Sequence, residues 1–452
     1  MTPFQLNDEL LAQIKSDIEQ GNALALKKRT SEYHYADLAE IVDELSVEDG
    51  VYLIKLLDSE KTSDVLTEVD EDIREGILEL LSVKEIAEEI EELDTDDAVD
   101  LISELSEARQ AEVLAEIEDA ERIQDIQELL AYDEDSAGGL MAKELVKVNE
   151  NWTITKCVRE MRVQASEVKR VHSIYVVDDN DILLGRLSLK DLLTATDKAK
   201  IKTVYIPKVD YVNVNEGGDE VAKLMAKYDL EAVPVVDDEK KLLGRITIDD
   251  IVDFIKEEAD KDYQLAAGIA SDVEADDSIL ELTRARLPWL ILGLIGGLGS
   301  VFILEGFEEV MLHPSYKTLF FFTPLIAAMA GNVGVQSSAI IVQGLANDIV
   351  KGSLLSRLLK EVGLSLINGL ALGGLLLVFG YFSGLDMAIS FTIAISMLCV
   401  IVVSALIGTF VPIILDKNDI DPAIATGPFI TTSNDIFGIF LFFYIAKIIL
   451  GF

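Results

Sequence analysis

Five long apolar stretches make up the C-terminal part of the chain and constrain its fold more than any other feature. They cover approximately 287–306, 319–346, 360–383, 387–415 and 424–450. Each is long enough to cross a hydrocarbon core of about 30 Å. The sequence therefore predicts a five-helix α transmembrane domain over residues 284–452.

The charge distribution changes abruptly where the apolar stretches begin. Of the 38 basic and 81 acidic residues in the chain, residues 1–283 hold 30 basic and 71 acidic ones, so nearly all of the net charge of −43 lies there. Such excess negative charge argues against nucleic acid as a partner and favours cations. Carboxylates suit Mg²⁺, Ca²⁺ or Mn²⁺, and three histidines with two cysteines make a zinc site improbable.

The basic residues of the apolar part indicate its orientation. The N-terminus lacks the basic start and short apolar run of a signal peptide, so we expect the soluble half in the cytoplasm. An odd number of spans then puts the C-terminus outside. The positive-inside rule agrees. Lys317 falls in an outer loop, and the cytoplasmic set is Arg284, Arg286, Lys351, Arg357, Lys360 and Lys417.

A twelve-residue repeat runs through the N-terminal part of the chain. Its first positions are Leu45, Leu57, Val69, Leu81, Leu93, Leu105, Ile117 and Leu129. The next position in six units is a helix N-cap residue: Ser46, Asp58, Asp70, Ser82, Asp94 and Ser106. Each unit predicts one short helix that cannot bury its apolar edge alone. We expect residues 1–132 to form an acidic all-α superhelical domain.

A second repeat follows at an offset of 59 residues. Ile-Tyr-Val-Val-Asp-Asp with Leu-Gly-Arg-Leu-Ser-Leu-Lys-Asp (174–191) returns as Val-Pro-Val-Val-Asp-Asp with Leu-Gly-Arg-Ile-Thr-Ile-Asp-Asp (233–250). β-Branched runs broken by Asp-Asp turns, each preceded by a helix, predict a β-α-β-β-α unit used twice. This pattern resembles an α+β tandem pair of CBS domains, over 133–200 and 201–256. An acidic connecting helix is expected at 257–283.

Two local motifs in this region leave alternatives open. CBS domains often bind adenine nucleotides, and Asp191 in Gly-x-Ser-x-x-Asp could contact a ribose, although Ser188 and Thr247 as simple helix caps explain the same residues. Residues 133–144 have EF-hand-like acids with Gly138 at loop position 6, but position 5 is Ala137 and a β-rich segment follows. We interpret that segment as a domain junction.

An aspartate halfway along the fifth apolar stretch is the strongest indication of function. A carboxylate at bilayer depth costs roughly 2.5 kcal/mol or more, so Asp435 should face a protein interior or an aqueous path. On the second stretch Asn332, Gln336, Ala339 and Gln343 share a face, and on the fifth Pro428, Thr431, Thr432, Asp435 and Gly438 do. We expect the two faces to meet and Asn434 to lie off the stripe, where it could hydrogen-bond across helices.

Three motifs and the order of domains resemble the MgtE family of magnesium channels over essentially the whole chain. The motifs are Tyr-Asp-Glu-Asp-Ser-Ala-Gly-Gly-Leu-Met (132–141), Gly-Asn-Val-Gly-x-Gln (331–336) and Gly-Pro-Phe-Ile-Thr-Thr-x-x-Asp (427–435). The resemblance implies a homodimer in a bacterial-type plasma membrane, with a pore between subunits lined by the second and fifth membrane helices. It implies pore ligands at Asp435, Asn332 and Asp421.

The same resemblance implies that Mg²⁺ bound to the cytosolic part closes the pore, because a cation that binds the compact arrangement better must favour it. The regulatory ligands would be Asp94, Gly139, Asp219, the Ala226 carbonyl, Asp229, Asp250, Asp253, Glu258 and Asp262. Lys261 stands where an acid is expected. ATP is a candidate regulatory ligand at Asp191.

Two other functions share these residues. One is an ion-coupled divalent cation carrier, against which the sequence offers only the apparent lack of a second intramembrane acid. The other is a membrane-bound Mg²⁺ or nucleotide sensor that transports nothing. An enzyme is not expected, because the sequence has no nucleophile–base pair, Walker loop or metal-hydrolase motif.

Overall fold

A computed structural model describes residues 4–166, 168–271, 273, 277–346, 349–350, 353–418, 420–425 and 427–451. Lys351, one of the basic residues used above, lies outside the described residues. The chain divides into two compact units, Met1–Ile255 and Lys256–Phe452, called here the N-terminal unit and the membrane unit.

Ten short helices open the N-terminal unit. They are α1 (Asp8–Glu19), α2 (Ala23–Thr30), α3 (Tyr35–Asp43), α4 (Val47–Ile54), α5 (Ser59–Glu68), α6 (Glu71–Leu80), α7 (Val83–Glu92), α8 (Thr95–Ser103), α9 (Glu107–Glu116) and α10 (Ala120–Leu129). From α4 to α9 the helices begin every twelve residues, as the repeat predicts. Most contacts join alternate helices, such as α5 with α7 and α7 with α9, which gives a superhelix.

The core of this superhelix consists of the repeat positions. Ile54, Leu66, Leu78, Ile90 and Ile102 are at most 1% exposed. Burying each such side chain stabilises the fold by about 1.5–3 kcal/mol. The twelve-residue spacing therefore follows from the packing: each helix buries its apolar edge against the helix two positions further along the chain.

Two three-stranded sheets follow. The first has β1 (Val146–Asn149), β2 (Ile174–Val177) and β3 (Leu183–Leu187), and the second has β4 (Val212–Asn213), β5 (Ala232–Val236) and β6 (Leu242–Thr247). In each sheet the first pair is parallel and the second antiparallel. Val176 pairs with Gly185 and Val235 with Gly244, so the register repeats at the same 59-residue offset.

The helices of the CBS pair complete the predicted β-α-β-β-α units. They are α11 (Ile154–Gln164), α12 (Leu189–Thr194), α13 (Gly218–Tyr228) and α14 (Ile248–Ala267). The last starts directly after β6 and extends beyond the N-terminal unit. The connecting helix expected at 257–283 differs from this, since α14 ends at Ala267 and the next helix begins at Ile279.

The membrane unit has five helices that are long and apolar enough to span a membrane. They are α15 (Ile279–Glu305), α17 (Thr318–Ala346), α18 (Leu354–Phe382), α19 (Met387–Asp416) and α20 (Gly427–Leu450). A short helix α16 (Glu308–Leu312) precedes α17, and a 3₁₀ turn (Pro422–Ala425) precedes α20. The fold class predicted from the sequence is confirmed: a helical N-domain, a CBS pair and five apolar helices.

Candidate functional site

Asp435 lies on α20 and points toward α17. A methyl group placed on Gly331 of α17 would lie 3.3 Å from Oδ1 of Asp435 and 3.0 Å from Cγ2 of Thr431. Oδ1 is buried and has no hydrogen-bond partner among the described residues. Glycine at position 331 thus lets α20 approach closely enough to bring a bare carboxylate oxygen against α17. An ionised carboxylate so placed is an acceptor for a cation.

Asn332 follows Gly331 but lies on a different face of α17. Asn332, Gln336, Ala339 and Gln343 are all exposed within the single chain, so they share a face as their spacing predicts. That face is not covered by α20. Gly331 therefore brings the polar face of α20 against α17, while the amides of Asn332 and Gln336 lie on a surface of this chain.

The polar face of α20 is divided between neighbouring helices. Thr432 lies against Gly296 of α15, and Gly438 is buried beside Ala330 and Val400. The expectation of one wet stripe along α20 is therefore wrong for these two positions. Small residues here serve close helix packing, which is a common use of glycine in membrane helices.

Asn434 occupies a notch between helices. It is fully buried, and Gly334 of α17 leaves the space that its amide fills. Neither Nδ2 nor Oδ1 has a hydrogen-bond partner among the described residues, so the interhelical hydrogen bond suggested for Asn434 is not formed there. Gly408 of α19 packs in turn on the Gly334 carbonyl. These contacts fix α20 beside α17 at the residue before Asp435.

Asp421, the third predicted pore ligand, lies outside the helices. Its side chain is exposed, and its Oδ1 accepts a hydrogen bond of 2.7 Å from the backbone N–H of Ala423. The carboxylate thereby starts the 3₁₀ turn that leads into α20. Its second oxygen is not used in this bond.

Glu361 is a membrane-helix acid that the sequence analysis passed over. It lies inside α18, and the hydroxyl of Ser337 on α17 donates to its Oε1 at 2.7 Å. The predicted span began at residue 360, which made Glu361 look like an end residue beside Lys360. Since α18 begins at Leu354, Glu361 lies two turns inside this helix, where it contacts α17.

A cluster of charged side chains joins the superhelix and the second CBS domain within the N-terminal unit. Arg245 of β6 is 7% exposed, and its Nη2 lies 3.2 Å from Oδ2 of Asp94 at the start of α8. In the same unit Lys169 pairs with Asp64 at 2.7 Å. Two basic side chains of the CBS pair, Arg245 and Lys169, thus pair with superhelix acids at the start of α8 and on α5.

The acids of this cluster have perturbed protonation. Burial raises the pKa of Asp97 to about 7, with Lys169 opposing the rise and Asp250 adding to it. Burial is also the first cause of a raised pKa at Asp96, followed by the Asp250 carboxylate. Burial and then Glu144 raise the pKa of Asp94. The structure therefore brings the predicted ligands Asp94 and Asp250 into one electrostatic environment, with more acid than the two cations balance.

Asp250 has a structural role in the same place. Its Oδ2 accepts from the backbone N–H of Thr247 at 2.9 Å and from the Thr247 hydroxyl at 2.6 Å. Both bonds tie the first turn of α14 to the end of β6, with Thr247 as the donor; the interpretation of Thr247 as a helix cap stays a prediction. Gly139 has a steric requirement, because a methyl group there would lie 2.5 Å from the Asp133 carbonyl oxygen.

The remaining predicted regulatory residues are mostly exposed. Asp219 and Ala226 lie on α13, and Asp229 ends it with a left-handed φ of 51°. Asp253, Glu258 and Asp262 lie along α14, where Glu258 pairs with Lys261 at 3.2 Å. No group of three or more His, Cys, Asp or Glu side chains arranged to hold a metal occurs within the described ranges. The regulatory sites stay predictions.

Asp191 lies on α12 and is half-buried. In the part of the chain that the structure describes, its carboxylate makes no hydrogen bond or ion pair. Ser188 is the N-cap residue of α12 but makes no side-chain capping bond. The nucleotide interpretation of Asp191 stays a prediction.

Comparisons with protein families match every domain. Residues 33–135 match the MgtE intracellular N domain, residues 137–198 and 201–257 match CBS domains, and residues 323–445 match the family described as a divalent cation transporter. The magnesium transporter MgtE of Thermus thermophilus is 31% identical over 98% of this chain and 99% of its own length. The magnesium transporter MgtE of Enterococcus faecalis is 36% identical over 73% of this chain and 72% of its own length.

Solved structures resemble the N-terminal part. The cytosolic domain of the Mg²⁺ channel MgtE in complex with ATP is 33% identical, with a TM-score of 0.51, over 54% of this chain and 99% of that one. The soluble part of a magnesium transporter is 28% identical, with a TM-score of 0.50, over 56% of this chain and 99% of that one. The match to inosine-5'-monophosphate dehydrogenase of Helicobacter pylori covers only 31% of this chain and 30% of the enzyme.

Proposed function

The chain belongs to the MgtE family of divalent cation transporters, and from this premise we propose that it carries Mg²⁺ into the cell along a path lined by α17 and α20. The observation that carries the proposal is the buried, unpartnered carboxylate oxygen of Asp435, directed at Gly331 on α17. A charged group so placed loses hydration without gaining a protein partner, and a passing cation would supply the missing interaction.

One carboxylate per chain fits a hydrated cargo. Mg²⁺ dehydrates reluctantly and usually keeps several waters while one or two carboxylates contact it. Conduction requires attraction that is strong enough for entry and weak enough for release. Asp435 supplies the charge, and Asp421 at the mouth of α20 would supply a second, exposed acid that gathers cations before they enter.

The exposed amide face of α17 supports a homodimer. Asn332 and Gln336 are exposed in the single chain at the depth of a membrane helix. Amides facing lipid would lack hydrogen-bond partners, at a cost of several kcal/mol each. Two copies that place these faces opposite one another would line a wet path, with Asn332 beside the Asp435 level.

Regulation by cytosolic Mg²⁺ is the second part of the proposal. Arg245 pairs with Asp94, Lys169 lies close to Asp97, and burial raises the pKa of both acids. A divalent cation would neutralise such a cluster more fully than protons do. Gly139, Asp219, Ala226, Asp229, Asp253, Glu258 and Asp262 are the further proposed ligands. ATP is a further proposed ligand, supported by the ATP complex of the related cytosolic domain, and Asp191 is its proposed contact.

Flux through liposomes containing the full chain tests the transport proposal. We expect Asp435→Asn to reduce Mg²⁺ uptake more than tenfold. Asp386→Asn is the matched control, because Asp386 is an exposed acid that caps α19 and its amide can still accept the capping bonds. Uptake by Asp435→Asn at the unaltered rate would refute the pore assignment. If the unaltered protein carries no Mg²⁺, the non-transporting sensor is the better explanation.

An ion-coupled carrier is a second candidate, favoured by Glu361. Its hydrogen bond to Ser337 places a protonatable group between α17 and α18, one residue from the exposed Gln336. In a proton-coupled carrier, an imposed pH gradient would change Mg²⁺ uptake, and Glu361→Gln would abolish that response. Uptake that is indifferent to the gradient in both proteins would leave the channel as the function.

A further inference from the structure

The membrane unit contains a cavity at the first turns of α15 and α20. Its volume is about 530 Å³, and it is lined by Ala267, Gly268, Ile269, Arg286, Trp289, Leu290, Gly293 and Pro428. Gly296 of α15 packs on Thr432 and Gly299 on Ile436, so α15 and α20 run parallel and begin at the same side of the unit. The cavity therefore lies at the boundary where the apolar part of both helices starts.

The walls of the cavity are held by specific backbone contacts. The N–H of Ala270 donates to the Ala285 carbonyl at 2.9 Å, which joins the segment after α14 to the first turns of α15. Gly268, with a φ of 81°, packs against Pro428, where a side chain would collide with the proline ring. The cavity is thus a built feature of the turn rather than a gap between loose segments.

Arg286 gives the cavity a positive charge. Its guanidinium has no hydrogen bond or ion pair within the described ranges. A guanidinium presents a planar fork of donors that matches phosphate oxygens. Trp289, half-buried in the same wall, is the residue type that membrane interfaces favour. A phospholipid headgroup fits such a site, because it carries an anionic phosphate and lies at the membrane boundary, where it can contact the indole ring.

An apolar groove continues from the cavity along α15. Leu290, Leu294 and Leu298 recur every four residues and are 65%, 63% and 51% exposed. Gly293 and Gly297 beside them have nothing within 4 Å of the position a methyl group would take. The groove is open and apolar over about two helical turns beyond Arg286, which suits an acyl chain lying along the helix.

We propose that this cavity binds one anionic phospholipid, with its phosphate on Arg286, its headgroup against Trp289 and an acyl chain in the Gly293–Gly297 groove. The cytoplasmic leaflet is rich in anionic lipid, which matches the charge of the site. The bound headgroup contacts Gly268 and Pro428 at once. It would therefore brace the segment after α14 against the first turn of the helix that carries Asp435.

Native mass spectrometry of the full chain in detergent tests the site directly. Phosphatidylglycerol and phosphatidylcholine with identical acyl chains are titrated separately, and inorganic phosphate is a third ligand. We expect phosphatidylglycerol to bind at least tenfold more tightly than phosphatidylcholine, and Arg286→Gln to lose at least tenfold in that affinity. Arg284→Gln is the matched control, because Arg284 is exposed two residues away and does not line the cavity.

Two further variants keep the test decisive. Arg286→Lys retains the charge and should restore part of the affinity, and Gly293→Leu should weaken both lipids by filling the groove. Equal losses in Arg286→Gln and Arg284→Gln would overturn the site, since general surface charge would then explain the binding. Inorganic phosphate competing as strongly as the lipid would overturn the lipid assignment. The lipid assignment would also fail if Gly293→Cys forms a disulfide between two copies and phosphatidylglycerol does not lower the amount of this disulfide. A second chain would then occupy the groove.

Discussion

The N-terminal unit and the membrane unit both bury apolar side chains but differ in what they expose. The superhelix buries Leu, Ile and Val and keeps most of its acids at the surface, although Asp94, Asp96 and Asp97 are partly buried. The membrane unit exposes Leu and Phe and buries hydroxyls and an amide. Its buried polar residues are Thr323, Ser337, Ser338, Ser365, Ser390, Thr392, Ser396, Ser404, Thr409 and Asn434.

The difference follows from the two solvents. In water, apolar burial drives packing, and charge at the surface costs little. In lipid there is no hydrophobic force between helices, so small and hydroxyl residues that permit close approach hold them together. A buried acid therefore has a different meaning in each unit: a pair within a charged cluster in the first, and an unpartnered oxygen on the proposed ion path in the second.

The largest expected stability effect is at the charged cluster. Arg245→Gln should destabilise the N-terminal unit by about 3 kcal/mol, because it leaves Asp94 without its buried partner. Hydrogen exchange of α8 in the full chain measures this. Arg186→Gln is the control, since Arg186 is the repeat equivalent of Arg245 and is exposed. If Mg²⁺ binds Asp94, millimolar Mg²⁺ should recover part of the loss; no recovery would contradict that ligand.

Close packing in the membrane unit predicts the next effect. Gly408→Ala should destabilise the membrane unit by about 1–3 kcal/mol, because the added methyl collides with the Gly334 carbonyl. The thermal unfolding midpoint in detergent reports it. Gly374→Ala on α18 has open space and should be tolerated. Similar midpoints for the two variants would show that α17 and α19 are not in the close contact described.

Helix capping in the superhelix gives a smaller effect. Ser82→Ala should cost about 1 kcal/mol, since Ser82 and Glu85 form a capping box at α7. Ser106 occupies the same place in its repeat but makes no side-chain capping bond. Ser106→Ala should therefore change stability by less than about 0.5 kcal/mol. Urea unfolding of both variants compares them, and equal losses would show that position in the repeat, not the bond, matters.

The smallest effect concerns pH. Burial raises the pKa of Glu89 to about 7, against the partial relief of a hydrogen bond donated by Ser59. The folded state then binds more protons than the unfolded state between about pH 4.5 and 7, so stability falls as pH rises through that window. Glu89→Gln should remove this slope and raise the midpoint at pH 8 by about 2 °C.

Exposed Glu88 provides the control for Glu89, because it pairs only with Lys84 on the surface. Glu88→Gln should leave the pH dependence of unfolding unchanged. A steeper slope in Glu89→Gln than in the unaltered chain would contradict the raised pKa.

Repeats made much of the fold predictable from the sequence. The twelve-residue and 59-residue spacings gave the helices of the superhelix and both sheets, because a side chain must return to the same buried edge or register in each unit. Boundaries were less predictable: α15 begins at Ile279, eight residues before the apolar run, since charged residues such as Glu281 and Arg284 continue a helix as readily as apolar ones. Glu361 was overlooked for the same reason.

The sequence by itself determined which side chains the soluble part buries, which segments are long enough to cross a bilayer, and that an aspartate lies about halfway along an apolar segment. These depend on period, length and composition, which are local quantities. Only the tertiary structure decided what the polar groups contact. Asp94 pairs with Arg245 instead of capping its helix, Thr432 packs on α15, and Arg286 lines a cavity without an ion-pair partner among the described residues. Packing of the whole unit decides which residues far apart along the chain come into contact, and no single segment of the sequence contains that information.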